Sequence, residues 1–296
     1  MNILLAIDAS AASQAAIAEV ATGPWPAQSR VEVLTVVEKF EPWTLGAIAQ
    51  EVNDRAQKLV EAAAERLRSR GLTSDGRVAE GDPKTAILDH AAAMSADLIV
   101  VGAHGMSAVE EFLLGSVSKA VLRFATCSVA LVRDTGAPRD TGVRVLLAVD
   151  GSEGSRRAVE ATAARPWPKG TEIRVLSAVE LGLSALQAAF EIPALDATHL
   201  ESQRAAAMKR TEEIIDSARK ALEAAGLTTS ESISVLAASP KEIILQEGAA
   251  WLADWIVLGS HGSGGLSRFL IGSTSETVAT HAACSVEVIR GSAQPL

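Results

Sequence analysis

At 296 residues the chain is long for one ordinary domain and comfortable for two of about 150 residues each. Its 48% hydrophobic content leans on Ala, Val, Leu and Ile, with five Phe, five Trp and no Tyr; this suits helices packed on a buried parallel sheet and leaves few aromatic platforms for single-stranded nucleic acid. The net charge of −9 divides evenly, −5 over residues 1–140 and −4 over the rest, so neither half carries the basic footprint of a phosphate-backbone binder, and neither nucleic acid nor an anionic membrane is expected as a partner.

In chain order, "MNILLAIDAS" lacks a basic leader and reaches Asp8 after a short apolar run, so it reads as a first strand, Ile3–Ile7, and not as a signal peptide. A helix over Ser10–Val20 follows a serine cap, then a strand over Val31–Val37 and a helix over Leu45–Arg68 with apolar residues every three or four positions. A third strand is expected near Val78; Pro83 opens a helix over Lys84–Met94; strand Leu98–Val101, helix Ser116–Phe124 and strand Val129–Val132 complete the series. Short β-branched runs alternating with helices imply a doubly wound, Rossmann-like α/β domain with five parallel strands covered on both faces. No apolar run approaches the roughly 18–20 residues of a membrane helix, and a soluble, cytoplasmic protein is expected. Cys127 and Cys284 stand at the starts of last strands, where they read as small buried hydrophobes and not as a disulfide.

The series occurs twice. "VLLAVDGS" from Val145 echoes "ILLAIDAS" from Ile3, pairing Asp150 with Asp8 at an offset of 142 that also pairs Trp167 with Trp25. The offset grows to 155 at Gly71 and Gly226 and settles at 157 from Pro83 and Pro240 onward. Repeat 2 therefore holds about 13 extra residues within the mostly apolar segment 181–200. The expected organisation is domain 1 over 1–134, a Pro- and Gly-containing linker over 135–142, and domain 2 over 143–296.

The chemistry concentrates after the fourth strand. "VGAHGMSAVEEFLLGS" and "LGSHGSGGLSRFLIGS" both spell G-x2-G-x9-G-S, with Gly102, Gly105, Gly115 and Ser116 in one and Gly259, Gly262, Gly272 and Ser273 in the other. The first glycine begins a loop at the carboxyl end of a strand and the last opens a helix, whose unpaired N–H groups and dipole suit a phosphate. Glycines admit close backbone approach and positive φ, while Ser116, Ser118, Ser273 and Ser275 offer hydroxyl donors. Neither a Walker-type GxxxxGK[ST] nor a GxGxxG after the first strand is present.

This spacing resembles the nucleotide-binding signature of the universal stress protein family, and the chain looks like a tandem member. An Asp after each first strand, "VLTVVE" and "VLSAVE" ending the second, a Pro before the third helix, and "CSVALVR" and "CSVEVIR" as last strands also fit. The resemblance implies ATP, with Mg2+, held by Gly102, Gly105, Gly115, Ser116, Val117 and Ser118, with Asp8 near ribose or phosphates and Val36 near adenine. In repeat 2 the matching positions are Gly259, Gly262, Gly272, Ser273, Thr274, Ser275, Asp150 and Ala178. It also implies pairing of the last strands into an internal pseudo-dimer, with a homodimer of whole chains and an unidentified protein partner beyond it. The implied role is a nucleotide-dependent sensor or regulator in stress response.

Other readings stand beside it: a slow ATP hydrolase or nucleotidyl transferase of related fold, and an interaction module without nucleotide. No catalytic residue or metal ligand is singled out. His104 and His261 read as loop histidines bonded to backbone or phosphate, since no nucleophile is fixed beside them. His90, His199 and His281 form no metal pattern. Asp8 and Asp150 read equally as partners of a nucleotide-borne Mg2+ and as local caps. Glu110 and Glu111 burden the covering loop of repeat 1, which has Ala108 where repeat 2 has Gly265; repeat 2 also has Arg268, and the tighter site is expected there.

Overall fold

The computed structural model describes residues 1–39, 46–105, 114–134, 142–180, 197–237, 239–262 and 271–291. Repeat 1 runs β1 (Asn2–Ala6), α1 (Ala11–Thr22), β2 (Arg30–Val37), α2 (Gly46–Arg68), β3 (Thr73–Glu80), α3 (Pro83–Ala93), β4 (Leu98–Gly102), α4 (Ser116–Phe124) and β5 (Ser128–Val132). Repeat 2 runs β6 (Arg144–Ala148), α5 (Glu153–Ala163), β7 (Glu172–Glu180), α6 (Ala197–Ala224), β8 (Thr228–Thr229), β9 (Ile233–Ala237), α7 (Pro240–Ala250), β10 (Trp255–Gly259), α8 (Ser273–His281) and β11 (Ser285–Ile289).

Local chemistry explains the boundaries. The Ser10 side chain accepts the Ser13 N–H at the start of α1, Ser152 accepts Ser155 N–H at α5, and Asp82 accepts Thr85 N–H before Pro83 at α3. Helices α2 and α6 end alike: Leu72 N–H reaches back to Leu67 O and Leu227 N–H to Leu222 O across Gly71 (φ +86°) and Gly226 (φ +78°), a left-handed turn that a side chain would strain. Repeat 2 departs from the expected five strands. Its third strand is broken into β8, beside the start of β7, and β9, beside its end. The intervening Ser230, Glu231 and Ser232 offer no apolar face to bury, although Ser230 N–H still donates to Ile173 O at 2.9 Å.

All strands join one sheet in the order β3-β2-β1-β4-β5-β11-β10-β6-β7-β8, with β9 also beside β7. Within each repeat the pairs are parallel. Helices α1, α2, α5 and α6 bury Ile17, Val60, Ala158 and Leu222 on one face, and α3, α4, α7 and α8 bury Ile87, Val121, Ile244 and Val278 on the other. Chain order reverses between β1 and β4 and again between β6 and β10, the two places where a doubly wound sheet opens a crevice at its carboxyl edge. Among the described residues no helix is long and apolar enough to cross a membrane.

The repeats meet through β5 and β11, antiparallel, with Val286 opposite Leu131 and Val288 opposite Val129. The joint is clasped by two arginines related by the duplication. Arg133 donates to the carbonyls of Ala279 (2.9 Å) and Thr280 (3.1 Å) at the end of α8 and of Cys284 (3.2 Å) just before β11, and Arg290 donates to Leu122 O (2.7 Å) at the end of α4. Each cation thus meets the negative end of a helix in the other repeat. A third arginine breaks the symmetry: Arg165 pairs with the buried Glu287 and lies 5.4 and 5.8 Å from the rings of Trp25 and Trp167. The paired tryptophans, which their sequence marks as packing residues at a turn, also donate their indole N–H groups to Val20 O and Thr162 O. Cys127 and Cys284 are free and buried, and burial raises each thiol pKa to about 11.

Candidate functional site

The site grows out of the carboxyl ends of β6 and β10. Strand β6 delivers Asp150 through Val149, and β10 ends at Gly259 in the middle of the crevice. Gly259 has no room for a side chain, since a Cβ there would sit 2.7 Å from Gly154 O and 2.8 Å from Ser155 N. Gly102 is pressed likewise on Ala12, with a Cβ 2.9 Å from its carbonyl carbon. The first motif glycine thus seats the strand end against the first helix of its repeat. The second brings the loop onto the carboxylate: a Cβ at Gly262 would lie 2.7 Å from Asp150 Oδ2, and at Gly105 3.1 Å from Asp8 Oδ2. The third glycine has more room in repeat 1, where the nearest atom to a Gly115 Cβ is 3.5 Å away, than in repeat 2, where a Gly272 Cβ would lie 3.2 Å from Ser260 O.

Two sequence expectations are corrected here. None of the six motif glycines has positive φ; those that do are Gly71, Gly81, Gly142, Gly151, Gly170 and Gly226 among the described residues. The motif uses the missing side chain, not backbone handedness. Nor are all four serines donors to a ligand: Ser118 and Ser275 are buried and spend their hydroxyls on Gly102 O and Gly259 O, each at 2.7 Å. These bonds tie each motif helix to the strand that precedes it.

What remains exposed to a ligand is the first turn of the motif helix. Gly272 N–H donates to Ser260 O and Gly115 N–H to Ala103 O, which closes the loop. Neither α4 nor α8 receives a side-chain cap, unlike α1, α3 and α5. The first-turn N–H groups of Ser273, Thr274 and Ser275 have no acceptor within their helix and form the positive end of its dipole.

In repeat 2 these groups form one end of a cavity of about 1030 Å³. It gathers every repeat 2 position expected from the sequence: Asp150, Ala178, Gly259, Gly262, Gly272, Ser273, Thr274 and Ser275. One of its other walls is apolar, with Leu176, Ala178, Pro240, Ile244 and Leu258 in it. In repeat 1, Gly102, Gly105, Gly115, Ser116 and Ser118 adopt the same arrangement, and Val36, at the position that Ala178 holds in repeat 2, is partly buried against the same core cluster as Leu114 and Val117. Asp8 there is held by its neighbours: its carboxylate accepts from Ser10 N–H (3.0 Å), from the Ser10 hydroxyl and from the Ser13 hydroxyl (2.7 Å). Asp150 accepts from Ser152 N–H (3.0 Å), while the Ser152 hydroxyl turns to His261 O (3.3 Å). Both aspartates thus shape the turn into the first helix as well as facing the motif loop. Covering-loop residues Ala108, Glu110, Glu111, Gly265 and Arg268, and insertion residues 181–196, lie outside the described residues.

His261 lines the cavity with Nδ1 3.0 Å from Ser260 Oγ and Nε2 buried without a hydrogen-bond partner. Burial, helped by the Arg290 cation, depresses its pKa and so favours the neutral ring. Outside the site, His90 is not isolated: its Nε2 lies 2.6 Å from Glu32 Oε1. The sequence reading missed one wall. Gln203, Ala206, Ala207, Arg210 and Ile214 of α6 all line the cavity. Their spacing marks one helical face, but only the packed structure says that this face turns toward Asp150.

A sequence profile of the universal stress protein family matches residues 1–133 and 143–290. A universal stress protein of Mycolicibacterium smegmatis is 29% identical over 315 aligned positions, covering 98% of this chain and 97% of its own. Another from Mycobacterium tuberculosis, Rv2005c, is 30% identical over 211 positions, covering 67% of this chain and 63% of its own. The crystal structure of a universal stress protein from Archaeoglobus fulgidus superposes with a TM-score of 0.66 at 21% identity, covering 98% of both chains. With the profile repeated across both halves and a relative aligned end to end, the chain belongs to the universal stress protein family, in a tandem two-domain form.

Proposed function

We propose that each repeat binds an adenine nucleotide, ATP with its Mg2+ in particular, and that occupancy regulates a conformation or partner in the manner of a stress sensor. The observation that carries this reading is the repeat 2 cavity: an apolar wall at Leu176, Ala178 and Leu258 suits a base, and the uncapped N-terminus of α8 suits phosphates. The two needs of one nucleotide meet in one crevice. The seated glycines favour the same reading, since they bring backbone to the site without filling it. Asp150 is the carboxylate lining this cavity and is the natural neighbour of a nucleotide-borne cation. Repeat 1 carries the same skeleton and would hold a second nucleotide. The domain limits 1–134 and 143–296 assign one site to each domain.

The test is direct: freshly purified protein is denatured and the released nucleotide quantified by anion exchange. Near two equivalents of ATP per chain is expected. Mostly ADP, with multiple turnover of added ATP, would favour the hydrolase instead. No nucleotide, and no binding of added ATP and Mg2+, would leave an interaction module.

A further inference from the structure

We infer that Arg210 is a phosphate contact particular to repeat 2, which makes that site the one selective for a polyphosphate chain. The inference rests on the nucleotide reading above and concerns a side chain that the motif does not contain. Arg210 lies on the cavity-facing stripe of α6, at the rim, since it is exposed while also lining the cavity. Ile214, one turn further along α6, sits against Gly151, where it leaves only 2.9 Å to a Cβ; the helix is therefore anchored beside the Asp150 loop. One turn of helix raises Arg210 about 6 Å above that anchor, toward the opening.

Charge gives the cation its purpose. Among the described residues that line the cavity, Arg210 and Asp150 are the charged pair of opposite sign, and no described residue forms an ion pair with Arg210. A guanidinium held at a cavity mouth without a carboxylate has its fork free for an anionic ligand.

Repeat 1 supplies the internal comparison. The offset of 155 that pairs Gly71 with Gly226 also pairs Arg55 with Arg210, Leu59 with Ile214 and Leu67 with Leu222. The arginine is retained, but its neighbour one turn back is not: Glu51 in repeat 1 is Ala206 in repeat 2. Glu51 Oε1 takes Arg55 at 2.5 Å. In repeat 2 the same position is a methyl group that lines the cavity. One substitution pairs the cation in one repeat and leaves it unpaired among the described residues of the other. The first phosphate lies at the first turn of α8, so a cation at the rim meets the phosphates that extend outward from it. ATP gains from Arg210 more than AMP does.

Isothermal titration of the full-length chain with ATP and with AMP tests this. Arg210→Ala is expected to weaken the tighter class of ATP sites about tenfold, as for loss of one charge-assisted contact, and AMP binding threefold or less; Arg210→Lys should fall between. Ala206→Glu, which grafts the repeat 1 pair, should act as Arg210→Ala does and provides a second variant if the first is poorly behaved. Arg55→Ala should leave the tighter class unchanged. Wild-type ATP affinity in Arg210→Ala, or an equal loss for ATP and AMP, overturns the inference while leaving nucleotide binding standing. A wild-type chain that binds neither nucleotide overturns both.

Discussion

Replacing Arg133 by Met tests whether the two repeats are clasped by helix-end arginines or merely by strand pairing. Met keeps most of the apolar stem and removes a guanidinium that makes three bonds, at 2.9 and 3.1 Å to carbonyls at the end of α8 and at 3.2 Å to Cys284 O just before β11. Hydrogen bonds to a charged group are worth about 1.5–3 kcal/mol each when deleted. Two of the three share one nitrogen, and burial, which lowers the arginine pKa, is a desolvation cost that the mutation relieves. The net loss expected is about 2–4 kcal/mol. Urea unfolding followed by far-ultraviolet circular dichroism and tryptophan emission reads it out, with Arg123→Ala as the control. Arg123 also crosses the joint, to Glu276 at 2.7 Å, but both partners keep solvent contact, so its loss should cost at most about 1 kcal/mol. Equal shifts for the two variants, or a shift below about 0.5 kcal/mol for Arg133→Met, would mean that strand pairing alone holds the repeats together.

The glycines of one motif should respond differently. Gly259→Ala forces a methyl onto the Gly154 and Ser155 backbone and should cost about 1–3 kcal/mol, whereas Gly115→Ala meets nothing closer than 3.5 Å and should change thermal stability little. The thiols of Cys127 and Cys284 should resist alkylation at pH 8 in the folded chain and react on unfolding. Because their folded pKa is raised to about 11, the unfolded chain releases these protons first, so stability should fall as pH rises from about 9 to 11 and the slope should vanish in a Cys127→Ala, Cys284→Ala variant. Arg165→Ala leaves Glu287 buried without its cation and should cost about 3–5 kcal/mol in the same urea assay, with Glu287→Gln less damaging.

Features set by neighbouring residues were legible in the sequence. Ser10, Asp82 and Pro83 announce their helices because a cap needs only the next three residues, and the all-apolar β4 and β10 announce strands buried on both faces. The motif positions were legible because the duplication displays their spacing twice, and the structure gathers those of repeat 2 around one cavity. Distance along the chain hid the rest. Ser118 and Ser275 look like any serine in a first helical turn, and only the fold puts a strand-end carbonyl 2.7 Å from each hydroxyl. Nothing local marks Arg133, Arg290 and Arg165; their partners, helix ends of the other repeat or Glu287, arrive only when β5 meets β11. The break between β8 and β9 was missed because pairing with β7 on either side tolerates the polar Ser230–Ser232 segment that local propensity merely weakens.

Titration of ATP into nucleotide-free wild-type chain and into Gly272→Val asks whether the cavity between β6, β10 and α8 is a nucleotide site, because the branched side chain would crowd the α8 first turn against Ser260 O, away from the strands beneath. For a nucleotide site the tighter class of sites disappears in the variant while the circular dichroism spectrum is retained. Unchanged ATP affinity in a folded Gly272→Val protein would place the nucleotide elsewhere.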